Sequence, residues 1–140
     1  MSSRADMEAA LKAHVLPKLR ALGFAGSMPH FRRSRSGAVD LLCFQYRSGG
    51  GSFVVEIGRV AEDGFDFHGK HIPAAKAKVS HTRERHRLGS ELRVNWGDHW
   101  YAFADRDADE VAKEVSAELD RDEVWALVDR LAVLGDGSKG

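Results

Sequence analysis

Met7, Leu11, Val15, Leu19 and Leu22 recur every three or four residues, while Glu8, Lys12, Lys18 and Arg20 fall mostly on other faces. That spacing predicts an amphipathic helix at the start of the chain. Gly23 stands where a C-terminal cap belongs, with Phe24 after it as the apolar residue that packs back on the last turn. Pro17 removes one helical donor and predicts a kink or an interruption. After Gly26-Ser27 the period changes to two. His30 to Arg33 predicts a short strand, Ser34 to Gly37 a hairpin turn, and Ala38 to Arg47 a second strand. Val39, Leu41, Leu42, Cys43, Phe44 and Tyr46 put apolar groups on both faces of that strand, as a central, doubly covered strand requires. Ser48-Gly49-Gly50-Gly51-Ser52 then connects to a run in which Phe53, Val55 and Ile57 alternate with Val54, Glu56 and Gly58. The three runs together predict an antiparallel meander.

Residues 61–80 carry no clean period. Gly64, Gly69 and Pro73 break the segment, and Phe65, Phe67 and Ile72 are scattered anchors, so it predicts a long loop with a helical turn near Pro73 to Val79. Glu91 to Trp96, a Gly97-Asp98 turn and His99 to Phe103 predict a last hairpin or bulged strand. Asp107 followed by Glu110 resembles a capping box ahead of Val111, Val115 and Leu119, and Asp120 followed by Glu123 repeats it ahead of Val124, Leu127, Val128 and Leu131. Two short helices, or one bent near Asp120, follow from this. The expected architecture is α+β: an N-terminal helix packed on an antiparallel sheet of four to five strands, then C-terminal helices. Residues 1–135 form one domain in this reading, and 136–140 a disordered tail.

Composition narrows the class. At 140 residues, with 43% hydrophobic and 30% charged, the chain can bury a core and is not of the disordered type. Its formal net charge is zero, which argues against bulk attraction to nucleic acid or to an anionic membrane. Local asymmetry remains: Asp105 to Glu123 holds nine acids against three bases, a net of −6, and the arginine clusters lie upstream. Cys43 is the single cysteine, so no intramolecular disulfide can form, which fits a reducing cytoplasm. No run approaches the roughly 20 apolar residues of a membrane span. A cytoplasmic protein is expected.

Leu16-Pro17-Lys18-Leu19 leading to Leu22-Gly23-Phe24, then Phe31-Arg32-Arg33, Leu42-Cys43-Phe44-Gln45 and Gly51-Ser52-Phe53-Val54-Val55, make an ordered set of short motifs. With Arg87-Leu88-Gly89 and the Trp100 segment, they resemble a small bacterial family known as domain of unknown function four-three-zero-four. The likeness runs from about Met7 to Phe103. It implies an α+β domain with an N-terminal helix on an antiparallel sheet, and it implies no activity.

The candidate chemistry lies in His81-Thr82-Arg83-Glu84-Arg85-His86-Arg87. If the segment is extended, Arg83, Arg85 and Arg87 share a face; if it is helical, Arg83 and Arg87 do. Guanidinium forks suit carboxylate or phosphate, and His81 adds charge below neutral pH. Arg33 can join this patch from the upstream cluster, because Arg32 and Arg33 point to opposite faces of a strand. The bland alternative is that these arginines tie the acidic C-terminal helices to the sheet. The expectation is a non-catalytic binding module, one version being a small immunity-type protein, that holds an anionic partner, an acidic protein before nucleic acid, with no cofactor. A homodimer pairing the acidic helices with the basic segment is a further option. The rival is a divalent-metal phosphodiesterase using Asp40 and Glu56, weakened because Gly58 stands where such sites carry lysine. Zinc at His68, His71, His81 and His86, completed by Asp63, Asp66 or Cys43, lacks any Cys-pair signature.

Overall fold

The structure, a computed structural model, describes residues 1–90 and 99–135. Helix α1 (Arg4–His14) starts at Ser3, whose hydroxyl accepts the Asp6 N–H while the Asp6 carboxylate accepts the Ser3 N–H. It ends at Val15, and α2 (Leu16–Ala21) begins with Pro17 in its first turn. The proline therefore opens a second helix, where the missing N–H has no partner to lose, instead of bending one long helix. Gly23, at φ +97°, turns the chain out of α2, and the Phe24 N–H closes back on the Leu19 carbonyl at 2.9 Å.

The central sheet is built on β2 (His30–Arg35), β3 (Ala38–Tyr46) and β4 (Ser52–Ala61), with β1 (Ala25–Ser27) at one edge. These four form an antiparallel meander. On the other side of β4 the described residues supply three two-residue strands: β7 (His86–Arg87), β8 (Tyr101–Ala102) and β9 (Val133–Leu134), the last running parallel to it. Between β4 and β7, β5 (Phe65–Phe67) and β6 (Lys70–Ile72) form a small hairpin, followed by single 3-10 turns at Ala74–Lys76 and Val79–His81. The expected loop is thus an ordered flap, whose strands are too short to show a period in sequence. The last hairpin expected over Glu91 to Phe103 falls partly outside the described residues. What is described of it is β8, paired with Ser52 and Phe53.

Helices α3 (Ala108–Leu119) and α4 (Asp122–Val128) complete an α+β fold, resolving the choice left open at Asp120 in favour of two helices. They lie with α1 and α2 on one face of the sheet. Met7, Leu11, Leu19, Val111, Val115, Leu119, Val124 and Val128 close there over Phe31, Leu42, Phe44, Phe53, Val55 and Ile57. The opposite, outer face is partly covered by the flap, where Phe65, Ala74 and Val79 meet Val39, Leu41 and Val60. Strand β4 is accordingly buried from Ser52 to Val60. Gly58 faces this flap because a Cβ there would stand 2.7 Å from the Thr82 hydroxyl. Among the described residues no helix is long and apolar enough to cross a membrane.

Phe53 sits at the middle of the helix-side core, fully buried, stacked on Tyr101 at 5.3 Å between centroids and touching Phe44, Tyr46 and Phe103. Phe53→Ala should lower the unfolding free energy by about 3–5 kcal/mol in urea titrations, the usual range for emptying such a site.

Candidate anion-binding site

Cross-strand register decides which charged groups meet. On the helix face, Asp40 stands opposite Arg33 on one side and Arg59 on the other. Asp40 is completely buried. Its Oδ2 accepts from Arg33 Nε at 3.0 Å and Arg35 Nε at 2.7 Å, and its Oδ1 accepts from Arg59 Nε at 2.9 Å. Arg35 Nη1 also reaches Asp129, just past α4, at 2.7 Å. The Arg33 guanidinium lies 4.2 Å from the Trp125 ring centroid and 4.7 Å from that of Phe24, so α4 is held over the cluster by stacking as well as charge. Burial pushes the Arg33 guanidinium below its usual value, with Asp40 pulling the other way. At Arg35 burial acts in the same sense, but Asp40 and Asp129 together outweigh it and the net shift is upward.

The outer face carries a second polar row. Register places His30 beside Cys43, Cys43 beside Glu56, and Glu56 beside Arg87. Glu56 is almost wholly buried; Arg87 Nε donates to its Oε2 at 3.2 Å, and Arg85 Nη1 lies 3.7 Å from Oε1. The Arg87 guanidinium also sits 5.4 Å from the ring centroid of Trp100, an exposed side chain. Lys78 stands over the same row, since its charge reaches both His30 and Cys43. His30 is held below its ordinary value by burial and then by Lys78. Two arginines, Arg85 and Arg87, therefore meet one buried carboxylate, and the Lys78 charge is felt at His30 and Cys43 in the same row.

The sequence-derived candidates divide between these two places. Arg85 and Arg87 come together at Glu56. His81 lies nearby under the flap, its Nδ1 accepting the Lys78 N–H at 3.0 Å and its ring against Phe65 and Phe67. Arg83 is exposed in the same segment and has no hydrogen bond or ion pair among the described residues. Arg33 does not join them: it points to the helix face, and the sheet separates it from the patch. The ion pairs described for Arg85 and Arg87 go to Glu56 of β4 and not to the acidic helices. The acidic helices instead find Lys18, His14 and Arg106. Lys78 and His30 had no sequence signal as site residues, because only the register and the fold of the flap gather them with the arginines.

The rival pair of carboxylates is corrected. Asp40 pairs with Arg59 and Glu56 with Cys43, an odd offset, so the two acids face opposite sides of one sheet and cannot share a magnesium ion. Each is moreover already neutralised by arginine. Among the described residues no group of three or more histidine, cysteine or acidic side chains converges as a metal site. Cys43 is no nucleophile either: burial, and then the Glu56 charge, push its thiol up to about 11.

Residues 15–129 match the profile of a family described as Domain of unknown function (DUF4304). The chain belongs to that family. No curated protein and no solved structure matches it. The DUF4304 segment leaves out α1 and β9, yet it contains both the Asp40 cluster and the outer row from His30 to Arg87. Both constellations are therefore properties of the family segment of this chain.

Two measurements follow. Asp40→Asn leaves three guanidinium groups around a neutral amide and should cost about 3–5 kcal/mol of stability, read as a lower urea midpoint. Cys43 alkylation by iodoacetamide at pH 8 should run about a hundredfold slower than that of a thiol with a pKa of 9.0, and should rise steeply as pH approaches 11.

Proposed function

We propose that this protein is a non-catalytic binding module that holds an acidic protein partner on the outer face of its sheet. The reading rests on one observation: Arg85 and Arg87 meet a single buried carboxylate on the outer face, within reach of the Lys78 charge and beside an exposed indole. Arg83 and His81 extend the same surface. An exposed aromatic next to arginine is the side-chain mixture that carries much of the energy in protein interfaces.

Several features favour a protein over nucleic acid. The patch is small, Glu62 and Glu84 lie in the flanking segments, and the whole chain is electrically balanced, whereas duplex binding calls for a long unbroken basic stripe. A protein that blocks a toxin by occupying an acidic surface is one form this activity takes. A cytoplasmic setting accords with a single, protonated cysteine.

A fluorescein-labelled deca-glutamate peptide is the direct probe. Its anisotropy should rise on adding the protein at low salt, and the binding should fade as sodium chloride increases. Combining Lys78→Ala, Arg83→Ala and Arg85→Ala should weaken that binding about tenfold, each exposed charge contributing a fraction of a kcal/mol. Lys78 and Arg83 are exposed, so the double replacement of these two should leave the urea midpoint in place, whereas Arg85→Ala also removes a partner of buried Glu56 and donors to the Thr82 carbonyl and should lower it. Peptide binding that ignores either the salt or the triple substitution would refute the assignment.

A further inference from the structure

The Asp40 cluster is unbalanced in a way that the outer-face reading does not use. Arg33, Arg35 and Arg59 bring three positive charges, whereas Asp40 and Asp129 bring two negative ones. All three arginines meet Asp40 through Nε, which leaves their terminal nitrogens to find partners elsewhere. Arg33 Nη1 donates to the Leu22 carbonyl, Arg59 Nη2 to the Arg35 carbonyl, and Arg35 Nη1 bonds Asp129. Among the described residues the other three terminal nitrogens have no hydrogen bond. Arg35 Nη2 is buried in that condition, and Arg59 Nη1 lies 3.9 Å from Asp129, beyond hydrogen-bonding range.

Arg59 also lines a cavity of about 340 Å³ between the β2–β3 turn and β9. Ser36 and Gly37 form one wall, Ala61 and Asp63 another, and Val133 a third. A water molecule occupies about 30 Å³ in the liquid, so the space takes a small polyatomic ion with room to spare. The Arg59 side chain is only 6% exposed. A guanidinium that deep, carrying surplus charge and an unused donor, gains more from an anion than a solvated one does.

We propose that this cavity binds a small oxyanion, the carboxylate or phosphate group of a metabolite, on Arg59. The anion would accept from Arg59 Nη1 and bring the cluster to charge balance. Asp63 shares the cavity and opposes the anion, which sets the affinity below what Arg59 alone would give.

Acetate and inorganic phosphate are the two probes, titrated at constant ionic strength against chloride. The expected result is a saturable shift of the Arg59 Nε–Hε resonance with at least one of them. At ten times the dissociation constant the melting temperature should rise by about 4 °C. The probe that saturates first identifies the preferred group. Asp63→Asn, at an exposed position outside the cluster, should tighten binding about threefold by removing one nearby like charge. Arg59→Lys should abolish the response, and the Asp63 variant keeps the test decisive if that chain folds poorly. A response that matches chloride for both probes, or an Asp63→Asn protein that binds no tighter, overturns the proposal. Neither result bears on the glutamate peptide, whose surface lies on the other face.

Discussion

The carboxylate of Asp40 is the constraint on which this architecture turns. It is fully enclosed and takes a hydrogen bond from each of three arginines, two of them its direct neighbours across β2 and β4. A buried ion cluster adds little net stability against an apolar equivalent, but it is severe on any arrangement that separates its members. Sliding β3 by one residue would turn Asp40 to the outer face, away from all three guanidinium groups. The cluster thereby fixes the register of three strands at once. Through Asp129 and the Arg33–Trp125 stacking it also fixes where α4 lies on the sheet.

The same device appears twice, with different consequences. Glu56 on the outer face is also a buried acid with arginine as its strand neighbour. Over Asp40 the layer is closed by α4 and its tryptophan. Over Glu56 the described residues place the long side chains of Arg85 and Arg87, with Trp100 at the margin. A charge cluster under a helix organises the fold, whereas one that ends at solvent is available to a partner. Position in the layers, and not the number of arginines, separates the two roles.

Much of the frame was legible in the residues. The stripes of α1 and α3 extend over three turns, and the alternation in β3 and β4 is long enough to expose both their period and their doubly buried character. Strands of two or three residues offer no such pattern, which is why β5, β6, β7 and β9 could not be read, whereas β8 falls within the strand expected over His99 to Phe103. The site was harder for a different reason. That Arg32 and Arg33 point to opposite faces follows from strand geometry alone, but which of the two faces lies under the helices does not. The relation of Asp40 to Glu56 likewise depends on how the Arg47 to Gly51 connection sets the pairing, and a one-residue change there would have put both acids on one side. Parity is local information; register is not.

Nine residues of β4 are paired continuously by β3 on one side, while on the other the described residues supply three two-residue strands drawn from distant parts of the chain. Among the described residues each of these strands pairs with only two residues of β4. Arg59 and Val60 are the residues whose outer border β9 covers. Val133 of β9 also lines the Arg59 cavity, so one two-residue strand closes both the border of β4 and a wall around its deepest arginine.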